Sequence, residues 1–250
     1  MIADLPHVKL NFVARGSGPS VVFLHGLASH LDTWADQAAR IEDRYQTIRV
    51  DLRGHGDSST PGGPWTIADL ARDVAELLAH LGIERAHFVG HSAGGVVAVR
   101  LVLDRPELVA SLCLVATAAE CNQKAATEFY LRWAETAERE GMRATLRQMG
   151  VKGEIDATTL GDPIGFARAS RAIATLYPEP LTPLLGGVHC PALILVGDKD
   201  WIGAGGAVKA SRALAGSELV ILPGQGHLPF LQDPEGFHAR LIEFLDRQPR

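Results

Sequence analysis

The chain has 250 residues, 46% of them apolar and 21% charged, with a net charge of −5; this is ordinary globular composition, long enough to bury a large core. The acidic balance, with no run of Lys and Arg, excludes the basic face that nucleic-acid binding needs. No segment approaches the ~18 apolar residues of a membrane span and the N-terminus lacks signal-peptide character, so Cys113, Cys121 and Cys190, which form no CxxC pair, are expected as reduced thiols in a cytoplasmic protein.

Strand-like and helix-like segments alternate along the chain. Ser20 to His25 (SVVFLH) is a short apolar run bounded by GSGP and Gly26, and Gln46 to Asp51 (QTIRVD) is a second strand that ends in the loop LRGHGDSSTPGGP. A helix follows from Thr66 to Leu81. Thr66 caps it, Asp69 suits its first turn, and Ile67, Leu70, Val74, Leu77 and Leu81 fall on one face at 3.6-residue spacing. Ala86 to Gly90 is a third strand, Ala93 to Asp104 a helix stopped before Pro106, and Ser111 to Ala116 a fourth strand. From Glu120 to Leu185 the pattern is helical with no clear strand. Ala192 to Gly197 resumes the alternation, followed by a helix near Ala207 to Ala215, a strand over Glu218 to Leu222, and a last helix over Pro234 to Asp246 capped by Asp233. Strands alternating with helices predict an α/β fold with a mostly parallel, doubly wound sheet. The expected division is a core of residues 1–119 and 186–250, with residues 120–185 inserted as a helical cap over the strand ends, where such sheets bind ligands.

Ser92 lies in HFVGHSAGG, between a strand and a helix. That placement is either a nucleophile on a sharp turn, with small neighbours where only small side chains fit, or a glycine corner for close packing. A serine hydroxyl needs a base, and the base needs an orienting acid. His227, in the loop LPGQGHLPF after the last strand, is the candidate base. Asp198 and Asp200, in LILVGDKD, are the candidate acids. An oxyanion would need two backbone N–H donors: Ala93, directly after the serine, and Leu27, in the loop after the first apolar strand. Together these residues read as a catalytic set of Ser92, an acid and His227, with Leu27 and Ala93 as the oxyanion hole.

The motifs HGLASHLDTW, DLRGHGDSS, GHSAGG, VGDKD and GQGH occur in the order seen in the α/β-hydrolase fold family, and the chain resembles its short helical-capped branch, including 3-oxoadipate enol-lactonases and related small esterases. The resemblance implies that Asp200, the last residue of the tetrad Gly197 to Asp200, is the acid. Asp198 is the runner-up, and some relatives place the acid where Glu120 is the nearest carboxylate. It implies a serine hydrolase without a cofactor, acting through an acyl-enzyme on a small carboxylic ester or lactone. Hydrolysis of carbon–carbon bonds in ring-cleavage products, cofactor-free haloperoxidase or perhydrolase chemistry, and a small-molecule receptor on the same frame are the alternatives. A serine rather than a carboxylate at position 92 argues against haloalkane dehalogenases and epoxide hydrolases.

Two departures from the family pattern stand out. Only HVKLNFVARG precedes the HG strand, so the first strand of the usual hairpin is expected to be missing or short. WIGAGGAVKAS replaces the proline that often opens the helix after the acid.

Among candidate substrate contacts are His30, near the oxyanion loop; Trp34, whose family counterpart lies near the pocket; Trp133 and Tyr177, with Phe129, Met149 and Phe166, in the helical block; and Leu228, beside His227. No metal is expected, since no H-E-x-x-H occurs and His87 and His91 lie across a strand end. GAGG at 203–206 lacks the spacing and the Lys-Ser/Thr of a phosphate loop. His55 and His91 are expected to support loops or packing.

Overall fold

The computed structural model describes residues 1–121, 124–151 and 161–248. Eight strands form one sheet: β1 (Ile2–Asp4), β2 (Lys9–Arg15), β3 (Ser20–Leu24), β4 (Gln46–Val50), β5 (Ala86–His91), β6 (Val109–Val115), β7 (Ala192–Gly197) and β8 (Glu218–Leu222). Their order is β1-β2-β4-β3-β5-β6-β7-β8. The β1–β2 and β2–β4 pairs are antiparallel, and every pair from β4 to β8 is parallel. The first strand is present but only three residues long, paired from Ile2↔Asn11 to Asp4↔Lys9.

The parallel strands are apolar on both faces, as a sheet covered on both sides requires. Alternate residues divide between two cores. Val22, Leu24 and Phe88 face the side packed by α2 (Ile67–His80) and α3 (Ala93–Asp104). Val21, Phe23 and Val89 face the side packed by α1 (Ala35–Ala39) and a C-terminal helix over Pro234–Asp246. The two-residue period of a strand makes this separation. Thr66 and Asp69 form the full reciprocal cap of α2 that their spacing predicts.

Between β6 and β7 the described residues form α4 (Lys124–Glu140), α5 (Met142–Gln148) and α6 (Pro163–Ala174). This block has a small apolar core of its own, with Trp133, Met142 and Phe166, and Leu27 and Ala28 of the loop after β3 pack against it. Residues 122–123 and 152–160 of the expected cap lie outside the described residues. After β7 come α7 (Ala204–Ala213), α8 (Pro229–Gln232), which follows β8, and α9 (Pro234–Asp246).

The chain runs from β3 to β4 on one side of the sheet and then to β5 on the other. The carboxyl ends of β3 and β5, paired at Leu24↔Gly90, therefore flank the point where the winding reverses. Such a point opens a crevice beyond the strand ends. The residues that follow those two strands are Gly26-Leu27 and Ser92.

Candidate active site

Ser92 bridges β5 and α3 with φ +50° and ψ −117°. An L-residue rarely adopts this conformation, and holding it costs of order 1–3 kcal/mol. Ala28 and Ala116 are the other non-glycine residues with positive φ among those described, and both also lie in loops around this site. The turn is pinned from several directions. The Ser92 N–H donates to the Val115 carbonyl at 2.9 Å, and the Thr117 hydroxyl donates to the Ser92 carbonyl at 2.6 Å. Gly90 is required by close approach, since a Cβ there would lie 2.7 Å from the Gly94 carbonyl oxygen and the Gly95 Cα. The glycine-corner and nucleophile readings therefore describe one feature: the packing that demands glycine also fixes the serine.

His227 follows β8. Its Nδ1 lies 3.0 and 3.1 Å from the two carboxylate oxygens of Asp200. A carboxylate only accepts, so Nδ1 carries the hydrogen and Nε2 is the basic nitrogen. Burial opposes ionisation of Asp200, but the His227 hydrogen bond and charge, with the N–H groups of Gly203 and Ile202, outweigh it and hold the carboxyl below its ordinary range. Those two N–H groups donate to Oδ1 at 3.1 and 3.0 Å. Asp200 thus also starts the turn into α7, which begins at Ala204, earlier than the periodicity suggested. Asp198 accepts instead from the Gly224 N–H at 2.8 Å, which ties down the loop before His227. Glu120 pairs with Lys209 at 2.5 Å. Of the three candidate carboxylates, only Asp200 reaches the histidine.

Leu27 and Ala93 line the same cavity as Ser92. Among the described residues neither backbone N–H has a hydrogen-bond acceptor. The Ala93 N–H opens the twelve-residue helix α3, whose dipole favours negative charge at that end. The loop that carries Leu27 is held from below. Buried Asp51 accepts from the Leu31 N–H at 2.6 Å and from the Asp57 N–H at 3.0 Å. His25 donates through Nδ1 to the Gly26 carbonyl at 2.8 Å and accepts through Nε2 from the Leu52 N–H at 3.0 Å. The DLRGHGDSS loop therefore serves the site as a support.

His91 precedes the serine and was expected to serve packing or its loop. Its Nε2 lies 2.9 Å from the His227 carbonyl oxygen, so Nε2 must be the protonated nitrogen. Burial first, and then the charge of His227, lower its pKa to about 3, so the ring stays neutral at ordinary pH. Gly26 passes so close that a Cβ there would lie 2.8 Å from His91 Nδ1 and 3.2 Å from the Ser92 Cβ. His91 thus joins the serine turn, the loop after β3 and the loop that carries His227. Replacing it by leucine removes the donor to the His227 carbonyl. The expected result is a fall of about 10- to 100-fold in kcat with little change in KM, because displacing the candidate base His227 would cost positioning more than binding. Steady-state kinetics on His91→Leu would refute this positioning role if kcat stayed within twofold of the unmodified enzyme.

A cavity of about 300 Å³ opens above Ser92, between the loop after β6, the start of α7, and helices α4 and α6. This is the small end of ligand pockets. Trp133 lines it as expected, and so does Phe129; Met149 and Phe166 pack within the helical block instead. Four expected contacts are elsewhere. Trp34 is fully buried in the core beneath the sheet, stacked on Phe230 at 4.2 Å and tilted against Phe23 at 5.5 Å, so it is a core residue. His30 is half-buried at the start of a 3-10 turn, and Tyr177 and Leu228 are exposed; none of the three lines the cavity. Residues not anticipated line it instead, including Tyr130, Ala118, Trp201 and Gly206. Three of these four adjoin segments already singled out: Ala118 follows the fourth strand, and Trp201 and Gly206 belong to WIGAGG, where this chain departs from the proline pattern.

A parallel α/β sheet with a strained serine after its fifth strand, and a histidine–carboxylate pair on later strand-end loops, defines the architecture of a hydrolase. Residues 19–146 match the family model for the alpha/beta hydrolase fold. The chain is 30% identical over 210 residues to 3-oxoadipate enol-lactonase 2 of Acinetobacter baylyi, covering 77% of this chain and 76% of that one. Among solved structures, it resembles the enol-lactonase from Burkholderia xenovorans with a TM-score of 0.90 at 27% identity, covering 99% of this chain and all of the other. It resembles a thermophilic esterase from Thermogutta terrifontis with a TM-score of 0.87 at 28% identity, covering 99% and 98%. The chain belongs to the α/β-hydrolase fold family and is a hydrolase. No helix among the described residues is long and apolar enough to cross a membrane.

Proposed function

We propose that this enzyme is a serine hydrolase that cleaves a small carboxylic ester or lactone through an acyl-enzyme. The observation that carries the reading is the His227–Asp200 contact at 3.0 Å, with the His227 loop tied through His91 to the turn of the strained Ser92. In this scheme Ser92 Oγ attacks the acyl carbon while His227 Nε2 takes its proton. Asp200 holds the Nδ1–H tautomer and stabilises the imidazolium. The Leu27 and Ala93 N–H groups receive the developing oxyanion, a contribution of ~3–4 kcal/mol per donor. The protonated His227 then gives that proton to the leaving oxygen, freeing the alcohol or the ring-opened hydroxyl of a lactone; neutral again, it takes a proton from the water that attacks the acyl-enzyme and returns it to Ser92 Oγ as the acid leaves. The helical block over residues 120–185 acts as the cap that shapes the substrate cavity. The enol-lactonase and esterase activities of the relatives support this substrate class.

Incubation with a fluorophosphonate probe, followed by peptide mass spectrometry, should place a single adduct on Ser92, and the unlabelled enzyme should turn over 4-nitrophenyl acetate. An unlabelled Ser92, or an adduct elsewhere with Ser92 untouched, refutes the nucleophile. Labelling without any turnover refutes the enzyme reading and leaves a receptor.

A further inference from the structure

The cavity above Ser92 is built almost entirely from aromatic, aliphatic and very small residues. Phe129, Tyr130 and Trp133 come from α4, and Trp201 from the loop after Asp200. The Phe129 and Trp201 rings meet edge to face with centroids 6.2 Å apart, bridging the helical block and the body. Trp201 is 71% exposed, so this contact stands at the rim of the cavity. The floor is set by small residues, since a Cβ on Gly203 would lie 2.9 Å from the Ala116 carbonyl carbon.

Among the described residues that line the cavity none is Lys, Arg or His, and the one ionisable carboxylate is Glu120. The hydrogen bond and charge of Lys209 outweigh partial burial and hold Glu120 below its ordinary range, so it is ionised at neutral pH. Lys209 ends on that carboxylate, and the Arg132 guanidinium lies over the outer Phe129 ring at 4.9 Å from its centroid. A substrate carboxylate entering this cavity would lose its water, find no cation among the described lining residues, and meet the Glu120 carboxylate, whose partner Lys209 is already engaged. Burying an unpaired carboxylate is among the most unfavourable steps a binding site can impose.

We infer that the cavity selects esters or lactones whose buried portion is uncharged and apolar, with Glu120 as the residue that turns away substrates bearing a free carboxylate. This inference rests on the serine-hydrolase reading above. It adds a specificity determinant outside the catalytic set, in the loop between β6 and α4, in a cavity walled by α4 and the segment Trp201 to Gly206.

Matched probes test it whichever half of the ester enters the cavity. On the acyl side they are 4-nitrophenyl hexanoate, methyl 4-nitrophenyl adipate and 4-nitrophenyl hydrogen adipate. On the alcohol side they are methyl 4-acetoxybenzoate and 4-acetoxybenzoate. In at least one series the free acid should show a kcat/KM ~100-fold or more below its neutral partners, the result of stripping water from a carboxylate without replacing it. Glu120→Gln removes the carboxylate and keeps the Lys209 ammonium, so the same ratio should shrink at least about fivefold. Free acids cleaved within threefold of their neutral partners in both series, or a ratio unchanged in Glu120→Gln, overturn the inference while leaving the serine hydrolase intact. If no probe is cleaved and Ser92 resists the fluorophosphonate, the underlying reading fails instead.

Discussion

Replacing Ser92 by alanine is expected to lower kcat/KM for 4-nitrophenyl acetate by ~10⁴- to 10⁶-fold, leaving only the residual catalysis that binding and the oxyanion donors provide. Alanine is the informative substitution because it keeps the Cβ. Position 92 holds φ +50° because of the Val115 and Thr117 contacts to its backbone, and none of these uses the hydroxyl. The variant should therefore unfold within about 1 kcal/mol of the parent protein, since no buried contact or cap is lost. A loss of activity with an unchanged melting temperature isolates the hydroxyl as the reacting group. A variant that keeps a tenth or more of the activity would falsify the acyl-enzyme scheme and return Ser92 to the role of a packing residue. Gly90→Ala is the wrong test for this purpose, because its Cβ would collide with α3 backbone and the turn itself would change.

Much of this site could be read from the chain because its parts sit where strands end. Apolar runs such as ALILVG and SVVFLH are continuous because both faces of those strands are covered, so their limits are marked by the polar and glycine residues that follow. Ser92, Asp200, His227 and Leu27 all occupy such positions. Side chains fixed by distant partners were not legible. Trp34 is close in sequence to the loop of Leu27, yet its ring is placed by Phe230 and Phe237, from the other end of the chain. Periodicity also cannot show that the loop after Asp200 turns its tryptophan and glycines towards the cavity, because that orientation follows from Ile202 and Gly203 donating to the Asp200 carboxylate. For His91, the sequence shows the residue but not its partner. The His227 carbonyl is brought to it only by the parallel packing of β5 through β8.

The buried histidines, His91 beside Ser92 among them, also set a limit on acid stability. His25, His55, His87 and His91 are all buried, and in each case burial is the largest cause of a lowered pKa. For His25 the charges of neighbouring histidines lower it further, and for His91 that of His227 does so. In the native state all four rings take up protons at lower pH than in the unfolded chain, where they titrate near pH 6.5, and His25 and His91 stay neutral furthest into the acid range. Between those limits the unfolded state binds more protons, so stability falls as pH falls. For His91 the window runs from about pH 6.5 down to about 3, below which the native state is protonated as well. The Asp200 carboxyl, depressed by its partners, acts in the same direction at the lower end, because its contribution is present above the unfolded value and lost as pH drops through the folded one. At pH 5, His91 alone should cost ~2 kcal/mol relative to pH 8, and His25 acts in the same direction. For a chain of this length the His91 share corresponds to a fall of ~4–8 °C in melting temperature. Calorimetry between pH 8 and pH 5 checks it, and a melting temperature flat to within 3 °C would contradict it. His91→Leu separates the contributions: removing a ring that must stay neutral should flatten the pH dependence even as it lowers kcat. The same burial that keeps the His91 ring neutral, its one proton on Nε2 held by the His227 carbonyl, makes the fold weakest in acid.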